Sequence, residues 1–135
     1  VVNNQTQGAI GASITDCQGN LLIYASNILV YNRNQNPMKN GLLLDDFNIS
    51  LPMTTVSGWQ CRVIIIPNPS DSLKYYIVSS IPYGGYNPAA FKGIYYSVVD
   101  MRLDNGLGAV DTNFKDIRID SFPTSCFAAT VHANY

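Results

Sequence analysis

The sequence predicts an all-β fold made of antiparallel four-stranded meanders and read as a partial β-propeller. Three observations carry that reading. Short runs rich in Val, Ile and Tyr alternate with clusters of Gly, Pro, Asn, Asp and Ser, the pattern of strands joined by tight turns. No window sets apolar residues at helical spacing. The pattern also recurs, opening near Ile10, again near Arg62 and a third time near Ala128, about one propeller blade apart each time.

Composition agrees with a folded β protein. At 135 residues the chain is long enough for one domain with a core. It is 47% hydrophobic and only 13% charged, which argues against disorder. Nine tyrosines weigh toward strands. The net charge is −1 and the Lys and Arg residues are scattered singly. That pattern lacks the footprint of nucleic-acid or polybasic membrane binding, so neither partner is expected. The longest apolar run, residues 21–25, is too short for a membrane span. The chain lacks an initiator Met and a signal pattern at its start, so a mature or excised segment is expected. Cys17, Cys61 and Cys126 allow at most one internal disulfide. They form no cluster with zinc spacing, so no structural metal or cofactor is expected.

Taken in order, residues 1–8 are polar and read as an edge strand or lead-in. Residues 10–15 form the first run, with Gly11 and Ala12 small enough for an inner strand. Residues 16–20 make a hairpin connection, since Asp bonds its own backbone and Gly and Asn tolerate positive φ. Residues 21–25 and 28–31 follow, linked by Ser26 and Asn27. From Asn32 to Gly58 periodicity fades, and residues 34–41 read as a turn-rich loop. Leu42, Leu43, Leu44 and Phe47 are expected to tuck beneath it. The second repeat is clearer. Residues 61–67 are almost continuously apolar, as in a strand buried on both faces. Residues 74–81 and 93–103 are Tyr-rich runs separated by the Gly/Pro/Tyr-rich stretch 82–88. Asn105-Gly106 is the strongest hairpin signal, and residues 114–120 alternate, with Ile117 and Ile119 on one face.

This divides the chain into a first blade-like repeat with a long loop, 1–58, a four-stranded second blade, 59–122, and the opening strand of a third, 123–135. Two blades and one strand cannot close a ring, because propellers need about four or more. The remaining blades are therefore expected from the same protein or from another chain.

The residues carry a family resemblance. The strings at 12–16, 19–24, 30–34 and 38–41 resemble the N-terminal propeller-like region of large Bacteroidetes surface proteins that carry a gliding-motility-type C-terminal sorting domain. So do those at 65–67, 75–77, 95–101, 105–108 and 132–134. The likeness runs through nearly the whole chain in order. It departs where the family usually has Trp in place of Tyr31 and Gly in place of Tyr135, and in the loop 43–60. The resemblance implies export by the type IX secretion system to the extracellular space or outer cell surface. It also implies an adhesin or scaffold role with no catalytic residues.

Several residues bear on chemistry. His132, near Asn134, would need a nucleophile or carboxylate to act as a general base, and no strained Ser or Cys motif supplies one. Asp100, Asp104, Asn105 and Asp111 offer oxygens to calcium, but turn chemistry explains them equally. Asp45 and Asp46 with Asp16 are a conceivable carboxylate pair for glycoside hydrolysis, with nothing to set them opposite one another. Trp59, Tyr83 and Tyr86 are the candidate contacts to a surface glycan or protein ligand, since aromatics combine large area with a polar tip. Tyr75, Tyr76, Tyr95 and Tyr96 are expected to fill interior spaces instead. Cys61 and Cys126 each open a predicted inner strand, and free buried thiols are the default. Asn4 and Asn48 begin glycosylation-type tripeptides of little meaning in a bacterium. Residues 71–73 resemble an O-glycosylation tripeptide of Bacteroidetes exported proteins. The expected function is non-catalytic adhesion, scaffolding or protein–protein interaction. The alternatives are a glycan-acting propeller enzyme fragment and a subunit or passenger of a secretion or gliding assembly.

Overall fold

The computed structural model describes residues 11–26, 29–43, 63–81, 93–122 and 128–130. Within them the fold is all-β, with nine strands: β1 Ala12–Thr15, β2 Leu21–Ala25, β3 Leu29–Asn32, β4 Pro37–Leu42, β5 Val63–Asn68, β6 Asp71–Ile81, β7 Gly93–Asp100, β8 Ala109–Val110 and β9 Ile117–Asp120. Strands β1 to β4 pair antiparallel in chain order, and so do β5, β6 and β7, with β9 on the other side of β7.

The turn chemistry is local. Asp16 Oδ1 accepts from the amides of Gln18 and Asn20, and Gly19 takes φ +85°, which closes the β1–β2 hairpin. Ser26 Oγ accepts from the Leu29 amide and sets the start of β3. Asn32 is buried, and its Oδ1 accepts from the amides of Asn34 and Asn36, shaping the β3–β4 turn around Gln35 at φ +61°. Asn68 Oδ1 does the same for Ser70 between β5 and β6.

One strand was hidden in the sequence. Residues 34–41 read as loop, yet β4 runs from Pro37 to Leu42. Its burial does not alternate cleanly: Met38 and Gly41 face inward, three residues apart, while Lys39 and Asn40 are exposed. Asn40 at φ +57° interrupts the two-residue period that marks a strand. The fourth strand of the second repeat also differs in detail. Residues 114–120 contribute only β9, preceded by the short β8 and a single 3-10 turn at Thr112–Phe114. Both β8 and β9 lie along one side of β7, β8 beside Val99 and Asp100, β9 beside residues 94–96. Ser97 bridges the break, accepting from the Asp116 amide at 2.9 Å.

The two meanders do not stand apart. Strand β4 pairs parallel with β8 at Lys39 and Ala109, joining them into one sheet in the order β1-β2-β3-β4-β8-β7-β6-β5. At the far ends of that order, β1 and β2 come alongside β5 without sharing a ladder with it, so the mixed sheet is nearly closed. One core fills it, with Ile23, Val30 and Met38 from the first meander and Val63, Ile77, Val99 and Val110 from the second. Ala12, Ile14 and Ile65 pack against this core from the β1–β5 side. Burying such side chains is worth about 1.5–3 kcal/mol each, so the shared core ties the meanders more firmly than one ladder pair does. Of the expected third opening strand, residues 128–130 are exposed and not in a strand, and the rest lies outside the described residues.

Candidate functional site

Strand direction sorts the connections onto two ends. The turns at 16–20, 33–36 and 69–70 and the connection 101–108 all lie at one end. The described strand ends at Leu42 and Val63, and at Ile81 and Gly93, point to the other. Trp59, Tyr83 and Tyr86 fall between those ends, outside the described residues.

The described end is held by charge. Asp71 opens β6, Asp100 closes β7, and Arg102 follows it. Arg102 Nη2 donates to both carboxylate oxygens of Asp71, at 2.6 and 2.7 Å, while its Nη1 donates to Asp100 Oδ2 at 3.0 Å. Lys74 Nζ approaches the same Asp100 oxygen at 3.8 Å, as expected from their opposed positions across β6 and β7. Asp100 Oδ1 accepts from the Arg102 amide, and Met101 donates its amide to the Leu73 carbonyl. The Arg102 guanidinium, with a further hydrogen bond from the Leu73 amide, holds the Asp71 carboxyl below the usual carboxylate range. Arg102 is raised in turn by Asp71. At the neighbouring corner, Asn20 holds the Asp16 carboxyl low through its side-chain amide first and its backbone amide second.

A second tie joins the meanders at this end. Arg33, in the β3–β4 turn, donates from Nη2 to the Gly106 carbonyl at 2.6 Å. Gly106 sits in a left-handed turn with Asp104 at φ +51°, Asn105 at φ +55° and Gly106 at φ +83°. Gly108 follows at φ +87°, a left-handed conformation that favours glycine, with the ends of the Met101 and Met38 side chains close to where a Cβ would stand. Asn40 Nδ2 donates to the Val110 carbonyl at 3.2 Å, reinforcing the β4–β8 junction.

These placements bear on several of the readings above. The four oxygen-bearing residues offered to calcium do not converge as ligands. Asp100 is paired with Arg102 and Lys74, and Asp111 accepts from the backbone and side-chain amides of Asn113. Asp104 and Asn105 build the left-handed turn. Among the described residues no group of three or more His, Cys, Asp or Glu is placed to hold a metal ion. Asp16 is engaged with its own turn, while Asp45 and Asp46 lie outside the described residues, as do His132, Asn134, Cys61, Cys126, Asn4 and Asn48. Cys17 is exposed on the β1–β2 turn. Tyr75 and Tyr95 are buried in the core, as expected of space-filling residues. Tyr76 and Tyr96, expected in the interior as well, are instead half-buried on the opposite face because successive strand residues alternate sides, and they pack edge to face with ring centroids 6.0 Å apart. Tyr24 and Tyr31 also pair, with centroids 5.4 Å apart and the rings tilted by 34°.

Sequence reasoning missed the Arg102 cluster and the Arg33 tie. The only signal available was the strand register, which sets Lys74 opposite Asp100; residue spacing alone does not place Arg33 beside a turn 73 residues away. No protein-family model, curated protein or solved structure matches the chain. Among the described residues no helix is long and apolar enough to cross a membrane.

Proposed function

We propose that this chain is a non-catalytic interaction module of an exported bacterial surface protein, presenting loops from a rigid, nearly closed β-sheet. The observation that carries the reading is how the described end is built. Ionised side chains there go to turn geometry and to tying strands together: Asp16 caps its turn, and Arg102 gathers Asp71 and Asp100. A loop end held this way has a defined shape, and preorganised loops lose less entropy when a partner binds. Trp59, Tyr83 and Tyr86, on connections that leave the opposite end of the strands, supply the contact chemistry for a surface glycan or a protein ligand, and the tied end serves as the fixed base of the sheet that carries them.

The architectural half of the proposal treats each meander as one blade-like repeat of a larger ring, the partial propeller. Its support is that β1–β4 and then β5, β6, β7 and β9 each run up and down in spatial order. Among the described residues a single register pair bridges the meanders, Lys39 with Ala109, as at a contact between repeats.

The test has two parts. Surface proteolysis of intact native cells, followed by mass spectrometry, is expected to release peptides of this chain; their recovery only after lysis defeats the export reading. Purified chain incubated with a panel of soluble polysaccharides is expected to leave them uncut. Release of reducing ends that Asp45→Asn or Asp46→Asn abolishes would replace the module by the glycan-acting enzyme.

A further inference from the structure

The chain contains two Asn-Gly dipeptides, Asn40-Gly41 and Asn105-Gly106, and the structure treats them differently. Asn-Gly is the dipeptide most prone to spontaneous side-chain loss, because a glycine amide is unhindered as a nucleophile. The Gly nitrogen attacks Asn Cγ, its proton passes to solvent, and the Cγ–Nδ2 bond breaks to release ammonia. Water then opens the resulting five-membered imide at either carbonyl, giving aspartate or isoaspartate. Ring closure requires the glycine nitrogen and the Asn Cβ to eclipse one another about the Cα–C bond.

At Asn105 the fold holds them nearly opposite. Its ψ of +34° turns the Gly106 nitrogen away from Cβ, the reverse of the reactive arrangement. The Gly106 amide is also engaged, donating to the Leu103 carbonyl at 3.1 Å. Two further hydrogen bonds close the turn, from Leu107 to Asp104 and from Gly108 to Leu103. Nothing packs over Gly106, since a Cβ built there meets no atom within 4 Å. The turn is thus exposed to water, carries three positive-φ residues in succession, and is held by backbone bonds and Arg33. L-residues enter this left-handed region at a cost, Asn and Asp less than most, so without its ties the turn has little to keep it in place.

We propose that Asn105 is a latent modification site whose conversion to isoaspartate is gated by opening of the 104–108 turn, with Arg33 holding the gate. Modification works against closure. Isoaspartate routes the main chain through the side chain, adding a methylene to the backbone and a negative charge beside Asp104. The Gly106 carbonyl then leaves its position against Arg33, and the tie between the β3–β4 turn and the β7–β8 connection is lost. Asn40-Gly41 is the internal comparison, because the nitrogen it would lose donates to the Val110 carbonyl and Gly41 is buried within β4.

The experiment is peptide mapping by mass spectrometry of the full chain aged at neutral pH, folded and in urea, following both sites. In the folded chain Asn105 is expected to convert at least about tenfold more slowly than in urea, since a gated site reacts only from its open fraction. Arg33→Ala is expected to raise the folded rate severalfold, leave the rate in urea unchanged, and leave Asn40 unmodified. Equal rates at Asn105 in folded and unfolded chain overturn the gating. An unchanged folded rate in Arg33→Ala overturns the role of Arg33. If that variant does not fold, the comparison in the unsubstituted chain still decides the gating, and Arg33→Lys, which keeps the charge but cannot reach as far, decides the role of Arg33.

Discussion

Replacing Ile77 tests which face of the sheet is inside. Ile77 lies mid-strand in β6, fully buried, opposite Ile65 on β5 and Ser97 on β7. Its neighbour Val78 points to the other face and is half-buried. Truncating a fully buried Ile to Ala removes its transfer energy and leaves a cavity, together about 2–5 kcal/mol, whereas Ile77→Val should cost about 0.5–1.5 kcal/mol. Val78→Ala, at a half-covered site, should cost less than about 1.5 kcal/mol by area. With a urea slope of about 2 kcal/mol/M, mid-range for small proteins, the Ile77→Ala loss becomes a midpoint drop of roughly 1–2.5 M. Urea denaturation followed by tyrosine fluorescence, with the slope unchanged among variants, reads this directly. A one-residue slip would exchange the two faces of β6, so a Val78→Ala loss equal to or larger than that of Ile77→Ala would refute the register.

Other outcomes follow from particular contacts. The Asp71 carboxyl titrates lower in the folded chain than in the unfolded one, so its contribution is complete above the ordinary value of 3.8 and is lost as pH falls through the lowered one. Asp71→Asn should therefore flatten the acid limb of the stability–pH curve without changing its shape at neutral pH, and an unaltered acid limb would remove Arg102 as the cause. Gly93→Ala should destabilise by about 1–3 kcal/mol, because Gly93 is at φ +147° and a Cβ there runs into the Asp120 carbonyl oxygen; loss of amide protection confined to β9 and the start of β7 would be its signature. Ser97→Ala should cost about 1 kcal/mol and speed exchange of the Asp116 amide, which Ser97 Oγ accepts in a part-buried position. If that amide exchanges no faster, the break between β8 and β9 is held by something else.

How far the sequence foretold this structure depends on how local each feature is. Strands β2, β5, β6 and β7 were legible because their Val, Ile and Tyr runs are long and bounded by turn residues, and the Asp16 and Asn105-Gly106 turns were legible from their own chemistry. Strand β4 was not, because Pro37, Asn40 and Gly41 are loop residues by composition and earn a place in the sheet only through the partners on either side. The junction of β4 with β8 was equally hidden, since β8 is two residues long and its parallel partner lies 70 residues upstream. Charge pairs suffered the same limit: Arg102 finds Asp71 only once β6 and β7 are in register. The aromatic candidates Trp59, Tyr83 and Tyr86 rest on residue type and, for Tyr83 and Tyr86, on a Gly-rich setting in the sequence, and all three lie outside the described residues.

The most direct test of the account is amide hydrogen exchange across both meanders of the intact chain. If one shared core and the β4–β8 junction make the sheet a single unit, the amides of Ile23, Val30, Ile77 and Val99 should open with the same free energy, and Val99→Ala should lower all four together. Exchange in two independent steps, with β1–β4 keeping its protection when the second meander is destabilised, would contradict it.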